Sequence, residues 1–574
     1  VGLYLLSLQE VELDGMNGFG LISVLPWPTM LALGLLTVAF IGALSLQRPV
    51  TWLLVVQLIV LVGCLHGITA LLESQPRFPI TWLHAGFVEY IDRTGTTATN
   101  LDARFSWPGF FALVAFWAGS GDRSALHWVL TLAPVVSNLL YLAALGLLMS
   151  RLRVSWQARW LAAWLFCSLN WVGQDYFSPQ GWTFLLYLLV MAILITWFRP
   201  TADAMLAGPP RRRLTLLAQR WRQRLWPGAV PGELEPSPAG AAEKVVLLAV
   251  VIGLFTVAVV SHQLTPFLML TSCAGLVLAR RCTLSGLPVI LGVIMLGALS
   301  YLTRAYWSGH LADLLSSIGD LDGTVSSSVA QRAAGGDRNH QLVVYTRMGA
   351  AVVLFLLAGW GLLRRRVRGI EDRTLLVLLV MPFSVVLLQS YGGEIALRVY
   401  LFSLAPAAVL AALAFFPESA ARPSLLRGIA AGTCALLLPG VFLVTRYGNE
   451  QYEQIRDGAV AAVEAVYDRT EGRGLLVFVS GTVDASATPF MPLGYREIER
   501  VGWLSTQAPR DPTDVTDVVG VVRDRGPGTY LITTDSQEAH LVLGDGYPPG
   551  WGDRFRRALA ETPGVRVVVE NPDA

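Results

Sequence analysis

Nine ionisable side chains stand out because they sit where apolar runs of this sequence end. Glu89 and Asp92 are three apart within 82–93, so on a helix they share a face. Asp102 and Arg104 follow in Asp102-Ala103-Arg104-Phe105-Ser106-Trp107. Asp175 lies in the short turn 174–180, and His262 in the tight turn Ser261-His262-Gln263-Leu264-Thr265-Pro266. Arg304 opens a stretch with Tyr306, Trp307 and His310. Glu394 and Arg398 are four apart at the mouth of a helix, either as a ligand clamp or as a pair that neutralises itself. Carboxylates of this kind can take a proton from a weak nucleophile. Arginine and histidine can meet a developing negative charge.

The elements that must position these groups are membrane spans. The chain has 574 residues, 54% hydrophobic and 15% charged, with a mean hydropathy of +0.53. A soluble domain carries about 25% charged residues, so most soluble enzyme classes are excluded. Twelve apolar runs, at 29–46, 51–72, 127–150, 157–172, 181–198, 244–261, 266–280, 285–303, 342–363, 374–390, 398–416 and 425–445, predict a polytopic α-helical membrane protein. Val1 to Leu8 read as the end of one more N-terminal helix. Alternate loops (47–50, 151–159, 199–244, 280–284, 364–373, 417–427) hold 21 Arg or Lys against 7 Asp or Glu. The opposite set holds 8 basic and 11 acidic residues. Cytoplasmic loops are the basic ones, so the first set faces the cytoplasm. All nine candidates then lie on the outer side. The net charge of +2 hides this asymmetry.

The division that follows is a transmembrane module over 1–446, with outer loops at 73–126 and 304–341, and an extracytoplasmic α/β domain over 447–574. In the latter, 450–469 reads as a helix and 475–479 as a buried strand. Helices at 513–524, 536–543 and 551–562 and strands at 530–534 and 565–569 follow. The aromatic stretch 107–117 is too short to span and reads as an amphipathic interfacial helix. The Gly- and Ser-rich 304–341 loop reads as a lid, with Asp313, Asp320, Asp322 and Asp337 as solvated carboxylates. Loop 199–244, with Arg211, Arg212, Arg213, Arg220, Arg222 and Arg224, suits the anionic lipid of the inner leaflet and needs no nucleic acid. The five cysteines show no paired spacing. Lys244 is the only lysine, a skew that reads as G+C-rich bacterial coding, as in an actinomycete.

Many spans, an early outer loop with acidic residues and a short interfacial helix, and an outer C-terminal α/β domain together resemble the GT-C superfamily of membrane glycosyltransferases. The stretches 105–111, 176–180, 392–402 and 530–571 are similar to segments of actinobacterial cell-envelope members. The likeness covers most of the chain, by architecture more than by one motif. It implies transfer of a sugar from a polyprenyl-phosphate donor to a cell-envelope glycan or lipid acceptor, at the outer face of the bacterial plasma membrane and with inversion. Such proteins commonly carry an acidic residue, often an Asp pair, in the first large outer loop. No Asp-Asp pair occurs here; Glu89, Asp92 and Asp102 are the nearest matches, with Glu10, Glu12 and Asp14 competing.

The resemblance implies Asp102 or Glu89 as general base, with Asp92 beside them. Arg398 and His262 would stand on the phosphate, with Arg104, Asp175, Arg304 and Glu394 as further substrate contacts. A divalent cation (Mg, Mn or Ca) is compatible with the chemistry, but no ligand spacing calls for one. Two other classes of function stay open: a transporter or flippase of lipid-linked saccharide, and a non-catalytic envelope protein that binds glycan.

Overall fold

In hydrocarbon every backbone N–H and C=O must be satisfied within its own segment, so long apolar runs become helices. The computed structural model describes residues 1–118, 123–201, 230–307, 335–387, 394–417, 425–470, 472–481 and 496–573. Among these, seven helices are long and apolar enough to cross a bilayer: Trp27–Leu44, Leu126–Met149, Pro179–Trp197, Ala241–Ser261, Arg338–Val367, Ile395–Phe415 and Leu426–Tyr447. The remaining five apolar runs form shorter helices, Thr51–His66, Trp156–Leu169, Thr265–Leu278, Leu287–Tyr301 and Arg373–Val386.

Two of the long helices, Pro179–Trp197 and Ile395–Phe415, are enclosed by the others. Small residues make this possible in the second, where Ala405, Ala407, Ala408, Ala411, Ala412 and Ala414 keep its surface thin. Its neighbour Arg338–Val367 comes so close that a Cβ on Gly361 would lie 1.9 Å from the Leu410 carbonyl oxygen. The closest point of the bundle therefore depends on one missing methyl group.

One end of the bundle gathers the arginine-rich loops. Arg365 is fully buried there, donating to both oxygens of Asp372 at 2.7 and 2.8 Å and to the Arg153 carbonyl at 2.7 Å. A two-residue parallel bridge joins Val230–Pro231 to Ile370–Glu371 beside it. The stretch containing Arg211 to Arg224 lies outside the described residues.

The other end carries the remaining loops and residues 450–573. Pro79 at the first turn and Gly95 in left-handed conformation at the end delimit the helix Pro79–Thr94. Its apolar face, with Leu83, Phe87 and Val88, belongs to one core with Val463, Tyr467, Leu476, Phe478 and Ile532. The C-terminal sheet has three parallel strands, with Gly474–Ser480 between Val501–Gln507 and Thr529–Ile532. Helices Asp457–Arg469, Thr516–Arg525, Asp535–Leu543 and Trp551–Glu561 accompany it.

Several expectations change here. The helix expected over 450–469 is two, Glu450–Glu453 and Asp457–Arg469. Residues 565–569 form no strand and leave Val567 and Val568 exposed, while Val501–Gln507 supplies the third strand instead. The interfacial helix Gly109–Ala118 is not amphipathic: it has no polar face, burying Phe110 and Phe111 and exposing Phe116 and Trp117. The expected lid, with His310, Asp313, Asp320 and Asp322, falls mostly outside the described residues; Asp337 instead caps the helix Arg338–Val367.

Candidate functional site

A cavity of about 1610 Å³ lies between the bundle end and the C-terminal sheet. Five arginines reach it: Arg77, Arg104, Arg347, Arg398 and Arg446. Four are matched by carboxylates. Arg104 holds both oxygens of Asp102, at 2.6 and 2.9 Å, while the Arg104 backbone N–H also donates to Asp102 at 2.8 Å. This makes Asp102 the N-cap of the short turn Ala103–Ser106, which fixes its position in the wall. Arg398 pairs with Glu394 one helical turn away. Arg446 donates to Asp175 at 2.8 Å, and Arg77 is held by Glu450 and Glu453.

Arg347 differs. Its Nε donates to the Thr445 carbonyl at 2.6 Å, and among the described residues no carboxylate lies within ion-pair reach of it. Arg347 stands 17 residues before Arg364 in one helix, roughly 26 Å of rise. The hydrocarbon layer is about 30 Å thick. If Arg364 marks one membrane boundary, Arg347 stands near the other.

Below Arg347 the cavity turns apolar. Met348 and Val352, four residues apart, line it on one helix face. The same stripe continues into Leu356 and Trp360, which are 67% and 55% exposed on the outside of the bundle. Leu397 and Tyr400 form the facing wall. An apolar strip thus runs from the arginine cluster towards exposed side chains of the same helix.

Two histidines in the wall are neutral. Burial, with the Arg398 charge nearby, pushes His262 down to about 3. Its Nδ1 accepts from the Thr265 N–H and hydroxyl at 3.2 and 3.0 Å, so the ring proton must sit on Nε2. His84, also brought to about 3 by burial, places Nδ1 3.0 Å from the Phe177 carbonyl, an acceptor only, which leaves Nε2 as the basic nitrogen. Beneath the floor, Asp175 joins His66 at 3.1 Å and Asn138. Behind Arg77, the buried carboxyls of Glu73 and Glu450 meet. Burial holds Glu450 up to about 7, and burial with the Glu450 charge holds Glu73 well above the usual range. Phe78, beside them, has φ of 71°, a region unfavourable for a non-glycine residue.

The sequence matches no known family profile, and no curated protein resembles it in sequence. Among solved structures, the apo oligosaccharyltransferase of Archaeoglobus fulgidus is similar over 86% of this chain and 71% of its own, at 11% identity and a TM-score of 0.46. ArnT from Cupriavidus metallidurans, bound to undecaprenyl phosphate, is similar over 83% of this chain and 89% of its own, at 12% identity and a TM-score of 0.43.

Of the nine candidates, Asp102, Arg104, His262, Glu394 and Arg398 line the one cavity. Asp175 lies behind it, holding Arg446. Glu89, Asp92 and Arg304 do not line it: Glu89 accepts from Arg93 at 2.7 Å and from the Glu497 backbone N–H at 2.9 Å, while Asp92 and Arg304 are exposed. Glu10, Glu12 and Asp14 are exposed too, and Asp14 pairs with Arg456 at 2.9 Å. Arg77, Arg347 and Arg446 join the cavity without having been singled out. An arginine at the end of an apolar run is costly, and that cost was the available signal for Arg446. Among the described residues no three His, Cys, Asp or Glu side chains gather as a metal site. The cavity carboxylates Asp102, Glu394 and Glu453 are engaged by guanidinium groups, and Asp545 by the His540 ring.

Proposed function

We propose that the protein is a membrane glycosyltransferase of GT-C type that takes a sugar from a polyprenyl-phosphate donor and passes it to a cell-envelope acceptor. The observation that carries this reading is the single cavity that joins a carboxylate, a group of guanidiniums and an apolar strip. A lipid carrying a phosphate and a sugar has the same three parts in the same order.

In this reading the isoprenoid chain lies along Met348 and Val352, with Leu356 and Trp360 at its entrance. The phosphate sits on Arg347, with Arg398 beside it and the His262 Nε2–H as a neutral donor. Asp102 takes the proton of the acceptor hydroxyl. The hydroxyl oxygen bonds to the anomeric carbon as that carbon's bond to the phosphate oxygen breaks, and polyprenyl phosphate leaves with both electrons of that bond. Attack opposite the leaving group inverts the centre. Asp102 must release one of its two guanidinium contacts with Arg104 to do this, so Arg104 is a positioning partner that holds the carboxylate in the wall.

We further place the cavity on the outer face of the bacterial plasma membrane, with twelve spans counting the five shorter apolar helices, and with the C-terminal α/β domain outside. The arginine-rich opposite end supports this orientation. Convergence of the outer charges on one cavity favours an enzyme over a non-catalytic glycan-binding protein. The test is incubation of the full chain in nanodiscs with labelled polyprenyl-phosphate sugars and a panel of envelope glycans. Transfer that Asp102→Asn abolishes supports the reading; no transfer by the wild type from any donor overturns it.

A further inference from the structure

The cavity wall opposite the apolar strip has a different chemistry. His340 begins the helix that carries Arg347, seven residues earlier and so about 10 Å further from that strip. The Tyr452 hydroxyl lies 3.3 Å from His340 Nδ1, and the His540 ring meets the Tyr452 ring edge-on at 5.0 Å. Asp545 completes the row, 3.3 Å from His540 Nδ1. Three separate segments therefore build one continuous polar wall. It is anchored where the Asp337 N–H donates to the Leu543 carbonyl at 2.8 Å and the Asp337 carboxylate caps the His340 N–H.

We infer that His340, Tyr452, His540 and Asp545 form the acceptor subsite, and that the acceptor it takes is a carbohydrate. The inference rests on the reading of the cavity as a sugar-transfer site. An acceptor must approach the anomeric carbon from the side away from the phosphate, and this wall stands on that side of Arg347, with room for the donor sugar between. Its groups alternate imidazole, phenol and carboxylate around an aromatic surface, which matches neighbouring hydroxyls on an apolar ring. Asp545 disfavours a second phosphate there. A peptide acceptor would use a free strand edge, but the backbone of this wall is already paired: Asp545 N–H donates to the His540 carbonyl at 3.1 Å and Tyr547 N–H to the Leu541 carbonyl at 2.9 Å.

Two measurements on the full chain in nanodiscs test the subsite. The first is saturation-transfer NMR without donor, using short gluco-, galacto-, manno- and arabino-oligosaccharides and, as a contrast, serine- and threonine-containing peptides. Binding of at least one oligosaccharide by the wild type, weakened about tenfold by Asp545→Asn or His540→Ala, is the expected result. Side chains that are 27% and 28% exposed can be changed without unfolding the domain. Binding of peptides alone, or oligosaccharide binding that neither variant alters, overturns the subsite. The second is transfer itself: both variants should raise the acceptor KM and leave the donor KM unchanged, and a raised donor KM overturns the assignment. Oligosaccharide binding without transfer from any polyprenyl-phosphate donor would instead overturn the transferase reading and leave the subsite standing.

Discussion

Arg446 and Asp175, 271 residues apart in the chain, meet at 2.8 Å beneath the cavity, both almost wholly out of solvent. Asp175 also takes His66 and Asn138, so one carboxylate ties the last long helix to three other elements. Removing one partner of such a buried pair leaves an uncompensated charge, at a cost of about 3–5 kcal/mol. Arg446→Ala and Asp175→Ala should each lower the thermal unfolding temperature in detergent. Asp175→Asn, which keeps hydrogen-bonding atoms, should lower it less. Equal stability of all three variants would show that the network holds nothing together.

Asp102 and Glu89 should separate in kinetics. As general base, Asp102 is worth about 10²–10⁴-fold in kcat, so Asp102→Asn should fall by that range with its fold intact by circular dichroism. Glu89→Gln should leave kcat unchanged and cost about 1 kcal/mol of stability, since Glu89 receives Arg93 and the Glu497 N–H. The reverse pattern would move the chemistry away from the cavity.

Arg347 offers a charge that no described carboxylate neutralises. A hydrogen bond to a charged group contributes about 1.5–3 kcal/mol. Arg347→Ala should therefore raise the donor KM roughly ten- to hundredfold, and Arg347→Lys should restore part of it. An unchanged donor KM in Arg347→Ala would place the phosphate elsewhere.

The Glu73–Glu450 contact makes stability depend on pH. Burial, with the Glu453 charge nearby, raises the Glu450 carboxyl from 4.5 to about 7 in the folded protein, against the pull of Arg77. The native state thus binds the extra proton. Its contribution is complete below pH 4.5 and is lost as pH rises through about 7. Unfolding temperature should fall over that window. Glu450→Gln and Glu73→Gln should each flatten the slope, because each removes one carboxyl that the native state holds protonated above pH 4.5.

The lateral organisation of the molecule was legible because hydrocarbon enforces it: apolar length sets the helices and arginine placement sorts their ends. Asp102, Arg104, His262, Glu394 and Arg398 were legible for the same reason, as polar groups at the mouths of spans. Arg347 was hidden inside the run 342–363, where averaging over apolar neighbours conceals one charge. Arg77 and Tyr452 could not be found, since their partners lie hundreds of residues away. Val501–Gln507 escaped because Gly502 and Ser505 break its alternation, and 565–569 misled as an apolar run that pairs with neither edge of the sheet.

The shared core of Pro79–Thr94 and the C-terminal sheet has a practical consequence. A fragment beginning at residue 447 would lack Leu83, Phe87 and Val88 and present half a core to water, so it should precipitate or recruit detergent. This end of the molecule is therefore a composite of two distant stretches of chain. Any attempt to graft it onto another membrane scaffold would have to carry residues 79–118 along with it.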